Sequence, residues 1–366
     1  MSDRPARTEE EVLDAIERRR RRPVRKLMDE RITLSHGAGG KASHTLVEAL
    51  FLPELRNPLL ESLDDSAVFS VTENGRGPRL AFSTDSYVVH PLFFPGGDIG
   101  ELAVNGTVND LAMSGARPLH LSAGFIIEEG FEIPDLQRIV ASMGAAAREA
   151  GVTVVTGDTK VVERGKADGL YINTAGIGVM ERDIDLSAAG VQAGDRVIVS
   201  GTIGDHGTAV MVARGDLALE VDLDSDTAPL GGLTATLLDA TDGVRCLRDP
   251  TRGGVATVLA ELALSSELAI AIDEAALPIV PAVHGASEIL GLDPLYVANE
   301  GKLLAIVAPE AADDALAALR SHPLGADAAV IAEMQSYPPG LVILETAFGG
   351  SRVVDMLAGD PLPRIC

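Results

Sequence analysis

The sequence predicts an α/β protein of two domains, built as α+β layers with helices on largely antiparallel sheets, and ending in a flexible tail. Three observations predict it. The chain has 366 residues, about two domains at ~150 residues each. Hydrophobic residues make up 46% and charged ones 23%, a globular balance that excludes disorder or a fibrous repeat for the bulk of the chain. Strand and helix patterns alternate from Ile32 onward, with long helices between nonadjacent strands.

Residues 1–31 form a charged extension with 10 basic and 8 acidic side chains. It includes the run Arg18 to Arg22, and Pro23 breaks any helix that begins near Thr8. The first domain, 32–190, opens with a buried strand at 80–83. Asp98 caps a helix running to about Ser114, with Ile99, Leu102, Val104, Val108 and Leu111 as its apolar positions. A strand at 120–127, a helix at 134–150 and strands at 152–155 and 170–179 follow. A turn-rich segment, 187–195, leads into the second domain, 191–345. Its strands are expected at 196–200, 268–272, 302–307, 328–332 and 341–344. Its helices are expected near 206–213, 229–240, 252–265 and 309–319. In 346–366, Gly349-Gly350 is a hinge signal, and the prolines of Asp360-Pro361-Leu362-Pro363-Arg364-Ile365-Cys366 deny a helix. The result is a mobile arm of at most about 56 Å carrying a thiol.

The net charge is -24, from 54 acidic and 30 basic side chains. It argues against a nucleic-acid partner or an anionic membrane surface. No apolar run approaches a membrane span, and the charged start predicts no signal peptide. The 2 cysteines, Cys246 and Cys366, cannot build a disulfide framework, so a reducing, cytoplasmic setting is expected. Only five of the basic residues are lysines. Three of these, Lys41, Lys160 and Lys302, follow turns rich in glycine or aspartate, a hint that a compact ammonium is wanted there.

Aspartates gather in short motifs at element ends: Leu63-Asp64-Asp65-Ser66, Ser83-Thr84-Asp85-Ser86, Val108-Asn109-Asp110-Leu111, Thr156-Gly157-Asp158-Thr159 and Arg248-Asp249-Pro250-Thr251-Arg252. Any one could be a turn residue or a cap. Asp110 stands out, because a carboxylate inside an apolar helix needs a partner. Together they suit magnesium, which takes a few carboxylates plus phosphate and water. The seven histidines show no soft-metal spacing. The glycine turns His36-Gly37-Ala38-Gly39-Gly40-Lys41 and Thr251-Arg252-Gly253-Gly254 offer backbone amides to phosphate, without matching a P-loop or dinucleotide fingerprint. These features suggest a magnesium-nucleotide enzyme. Cys366 is either an idle last residue or a tethered nucleophile. Its own carboxylate should raise the thiol's pKa, with Arg364 offsetting this. Cys246, in an apolar stretch, reads as core.

Five motifs taken together resemble the hydrogenase maturation factor family HypE, within the aminoimidazole ribonucleotide synthetase-like superfamily. They are His36 to Lys41, Ser83-Thr84-Asp85-Ser86-Tyr87-Val88, Gly157-Asp158-Thr159-Lys160, Asn299-Glu300-Gly301-Lys302 and the terminal Pro363-Arg364-Ile365-Cys366. The resemblance runs from about Ile32 to the end; the extension 1–31 departs from it. It implies a two-domain aminoimidazole ribonucleotide synthetase-like fold whose first sheet dimerises into a homodimer. It implies that Cys366 receives a carbamoyl group from the carbamoyltransferase HypF. ATP then drives dehydration of the thiocarbamate to a thiocyanate. The cyano group passes to iron on the HypC–HypD complex, as a cyanide ligand of the [NiFe] hydrogenase. By motif position, Asp65, Asp85, Asp110 and Asp249 would hold Mg2+, and Lys41, Asn109, Gly157, Asp158 and Thr159 would line ATP. Lys160 is the candidate cation and Glu300 the candidate base. Two other readings stay open: a small-molecule ATP-dependent kinase or synthetase of the same superfamily, and a non-catalytic carrier that docks through its tail.

Overall fold

A computed structural model describes residues 27, 29–72, 77–215, 222–362 and 364–366. The run Arg18 to Arg22, Pro23 and Pro363 lie outside the described residues. The first sheet has five strands: β1 (Ala67–Ser70), β2 (Arg79–Tyr87), β3 (Arg117–Glu128), β4 (Thr153–Val162) and β5 (Leu170–Val179). Their spatial order is β1-β2-β5-β3-β4. Every neighbouring pair is antiparallel except β3 and β4. A parallel pair needs a crossover, and the helix Ile133–Glu149 between those strands provides it.

Besides the one-turn helix Leu52–Leu55, the first domain has α1 (Lys41–Leu46), α2 (Ile99–Met113) and α3 (Ile133–Glu149). Asp98 caps α2, accepting from the N–H groups of Gly100 at 2.8 Å and Glu101 at 3.2 Å. Almost all of α2 is buried, Asn105, Thr107 and Asn109 included. It lies against β2, β5 and α3 and also touches the second domain. A helix apolar all round belongs in such a place, and polar residues survive there only if each is bonded.

The second sheet has seven strands: β6 (Arg196–Val199), β7 (Val244–Arg248), β8 (Ala269–Asp273), β9 (Leu304–Val307), β10 (Ala329–Gln335), β11 (Val342–Glu345) and β12 (Ser351–Val354). Their order is β12-β11-β8-β10-β6-β9-β7. Helices are α4 (Asp205–Ala213), α5 (Gly231–Ala240), α6 (Gly254–Ser266), α7 (Pro281–Leu290) and α8 (Ala312–Ser321). One face carries Val197, Val199, Leu304 and Ile306 against α6. The other packs Ile198, Ala305 and Val307 against Leu233, Leu237, Ala315 and Leu319. Alternate residues of β6 and β9 therefore feed two cores, and β9 is buried throughout.

Three local expectations change. Helix α7 fills a stretch with no assigned element. Residues 157–160 are not a turn: they lie within β4, which runs on from 155 to 162. There a Cβ on Gly157 would sit 2.2 Å from the Ala123 carbonyl oxygen, so glycine permits the close strand approach. Residues 351–354, expected in the arm, form edge strand β12 against β11, because Val353 and Val354 still belong to a strand pattern.

Beyond Val354 the described tail holds no helix or strand. Its last residues nevertheless pair with the chain that leaves β2. The Val88 N–H donates to the Cys366 carbonyl at 3.2 Å, and the His90 N–H to the Arg364 carbonyl at 3.1 Å. Ile365 and Cys366 are buried, at 3% and 7% exposure.

Candidate active site

The cleft between the domains gathers five carboxylates from separate parts of the chain, Asp65, Asp85, Asp110, Asp249 and Glu300. Ser83 of β2 donates to Asp110 of α2 at 2.5 Å. Asp65 precedes β1 and faces the Arg248 Nε of β7 at 3.0 Å. Asp85 of β2 meets the Arg252 guanidinium at 3.4 Å and accepts from the Tyr87 hydroxyl at 3.3 Å. Asp249 and Glu300 are buried, at 8% and 3% exposure. The Glu300 Oε1 has no hydrogen-bond partner among the described residues. Its backbone N–H donates to Asp226 at 3.0 Å. A Cβ on Gly301 would stand 1.7 Å from the Asp226 carbonyl oxygen, so only glycine lets this loop close on its neighbour.

Burial and mutual repulsion set the charge state. Asp65 is pushed up to about 6, first by burial, with Arg248 pulling the other way. Burial, then Asp249, Asp85 and Asp65, pushes Asp110 well above the usual carboxylate range. Asp249 rises through burial and Asp65. Glu300 rises through burial, Asp249 and Asp85. Like charges that cannot all ionise comfortably are held ready for a proton or a cation. Among the described residues no three acidic, histidine or cysteine side chains are gathered closely enough to hold a metal ion alone.

The tail delivers its thiol into this cleft. Burial pushes the Cys366 thiol well up, Arg252 pulls it down, and Glu300 and Asp85 push it up again. The offsetting cation is thus Arg252 and not Arg364, whose guanidinium pairs with Asp168. Arg252 also reaches the Gly37 carbonyl at 3.4 Å. Gly39, at φ +76, passes so close that a Cβ would stand 2.7 Å from the Arg252 Cβ. The first glycine turn therefore folds over the arginine of the second.

Several expected residues lie elsewhere. Lys160 is exposed and pairs with Asp158 of its own strand at 2.5 Å. That bond, with the Thr159 N–H, holds Asp158 below the usual carboxylate range. Strand β4 lies three strands from β2, about 14 Å at ~4.8 Å per step. A shallow depression lined by Ala123, Phe125 and residues 154–159 marks that edge. Lys41 pairs with Asp355 at 2.5 Å, at the root of the tail. Lys302 pairs with Asp226 at 3.3 Å. Asn109, expected to line ATP, is 1% exposed and ties α2 to the second domain. It donates to the Ala228 and Glu300 carbonyls at 3.0 and 3.2 Å and accepts from the Leu230 N–H at 2.7 Å. Its face of α2 points at the second domain, so its amide is fully engaged there. The cleft cations Arg248 and Arg252, on Asp65 and Asp85, are arginines and not among the sparse lysines. Their flanking of Asp249 in the motif was the available signal.

The chain is similar to AIR synthase related proteins in both halves. The N-terminal domain of that family matches residues 63–180 and the C-terminal domain residues 192–340. The fold and its carboxylate cleft thus define an enzyme of the AIR synthase related class. Carbamoyl dehydratase HypE of Bradyrhizobium diazoefficiens is 56% identical over 336 residues, covering 92% of this chain and 96% of that protein. A HypE–HypF complex contains a chain at TM-score 0.80 and 47% identity, covering 85% of this chain and 99% of that one. HypE in complex with ATP aligns at TM-score 0.76 and 49% identity, covering 92% and 100%. The chain belongs to the carbamoyl dehydratase HypE family of hydrogenase maturation proteins.

Proposed function

We propose that the chain performs ATP-dependent dehydration of a carbamoyl group carried on Cys366, giving a thiocyanate, ADP and phosphate. The observation that carries this reading is the terminal thiol seated among Arg252, Glu300 and Asp85. An amide oxygen leaves poorly, and ATP supplies the phosphoryl group that turns it into phosphate. The chain then has to hold the thiocarbamate still, bind the developing charge and take protons from nitrogen. Arg252 stands where it can face the oxygen. Glu300, with one oxygen unbonded and a raised pKa, is suited to accept a proton. Mg2+ suits the hard oxygen donors of Asp65, Asp85, Asp110 and Asp249, and its shell would be completed by phosphate oxygens.

The partners follow the same reading: HypF as carbamoyl donor and the HypC–HypD complex as iron-bearing acceptor. A homodimer accounts for the edge strand. Nine consecutive positions of β4 are exposed, among them Val154, Val155 and Val161. An open edge of this kind invites a second copy, which would bring Lys160, Gly157, Asp158 and Thr159 to a nucleotide. No helix among the described residues is long and apolar enough to cross a membrane.

The test is intact mass of the C-terminal peptide after incubation with the transferase, carbamoyl phosphate and ATP. The peptide should gain a carbamoyl group and then lose one water. Equal modification of a Cys366→Ala variant sinks the reading.

A further inference from the structure

The tail is gripped by one helix, and the grip centres on a residue outside every motif above. His206, in the first turn of α4, is 0% exposed. Its Nε2 lies 2.9 Å from the Ile365 carbonyl oxygen, and its Nδ1 lies 2.8 Å from the Ser225 hydroxyl. A carbonyl only accepts, so Nε2 carries the proton and Nδ1 accepts from Ser225. The Ser225 oxygen in turn accepts from the Thr227 N–H at 3.2 Å. The ring stands edge-on to Phe94 at 5.5 Å and 88°. Tautomer, tilt and position are therefore all fixed.

The same turn also holds the loop that carries Glu300. The Gly204 N–H donates to the Asn299 side-chain oxygen at 2.7 Å, and the Gly207 N–H to the Ala298 carbonyl at 3.1 Å. At the far end of α4, Arg214 donates to the Arg364 carbonyl at 2.8 Å. One short helix thus holds the two residues before Cys366 and the two residues before Glu300. Resting on the dehydratase reading above, we propose that His206 is a positioning residue that seats the tail and fixes the thiol against Glu300. It serves the dehydration step and not the loading of the carbamoyl group, because loading needs the tail free.

The experiment uses the full chain and two variants. His206→Phe keeps the ring and loses both bonds. His206→Gln keeps a donor at the tip. Carbamoylation of Cys366 by the transferase should stay within about twofold in both. Single-turnover loss of water on adding ATP should fall roughly ten- to hundredfold in His206→Phe, the scale of a lost buried hydrogen bond. It should recover to within about fivefold in His206→Gln. In the unloaded protein, Cys366 should react faster with an alkylating reagent in His206→Phe, while Cys246, 1% exposed in the core, stays protected. Wild-type dehydration or unchanged Cys366 labelling in His206→Phe overturns the proposal. So does equal loss of protection at Cys246, which would make His206 a general core residue. If the wild-type chain accepts carbamoyl but never loses water, the dehydratase reading falls, and the labelling comparison still decides whether His206 seats the tail.

Discussion

The interdomain cleft and the outer edge of the first sheet carry the same kinds of residue in opposite surroundings. In the cleft, Asp65, Asp110, Asp249 and Glu300 are driven up in pKa by burial and one another. On β4, Asp158 is exposed and driven down by Lys160 beside it. The cleft therefore has surplus negative charge inside a shaped, low-dielectric site, where a cation or a phosphorylated group can be held strongly. The edge is charge-balanced in water, where a pair contributes little. It becomes a site only when something covers it.

The sharpest break in this comparison is at the thiol. Cys366→Ala should abolish thiocyanate formation outright, while ATP binding, followed by calorimetry, persists. Next comes Asp110→Asn. Removing one preorganised charge should cost about 10²–10³ in dehydration rate, measured in single turnover on pre-carbamoylated protein. An undiminished rate would take Asp110 out of the cleft's chemistry.

Lys160→Ala should leave carbamoylation intact and slow dehydration about tenfold or more. Mixing it with the inactive Cys366→Ala chain should restore activity if the edge of one copy completes the cleft of another. No recovery on mixing would confine each site to one chain. Val155→Glu places a charge on the same edge and should shift the sedimentation of the protein toward the monomer.

The smallest effect is on stability. Asp65 has a folded pKa of about 6, above its ordinary 3.8. Between those values the folded state binds more protons than the unfolded one, so stability falls as pH rises from about 4 to about 6. Added Mg2+ should offset this above about pH 6 and do little near pH 4, read as melting temperature. Asp65→Asn should flatten both responses.

Much of this was visible in the chain's own pattern. Helix α2 was legible because Asp98 sits before an apolar run, and Asp110 because a carboxylate inside such a run demands a reason. The terminal cysteine was conspicuous by position. What failed was local reading of glycine. Gly157 looks like a turn but serves close strand packing, which depends on Ala123 of a neighbouring strand. Lysine scarcity pointed at Lys41, Lys160 and Lys302, yet Lys41 and Lys160 pair with Asp355 and Asp158 away from the cleft, and only Lys302 comes near it, through Asp226 beside Glu300. The tie that Asn109 makes to the second domain was not legible, because its partners, the Ala228, Leu230 and Glu300 backbones, are remote in sequence. His206 gave no signal at all, since its role exists only when the chain's end returns to α4.

The bonds from Val88 and His90 to the Cys366 and Arg364 carbonyls pin the chain's end at two points, and Arg364 turns the chain between them at φ +54. A residue inserted between Arg364 and Cys366 would carry the sulfur about 3.3 Å past its seat beside Glu300. It would also break one of the two bonds that hold the end. With β12 tying 351–354 into the second sheet, the reach of the thiol is set by the residues after Val354, and its seat by the last three.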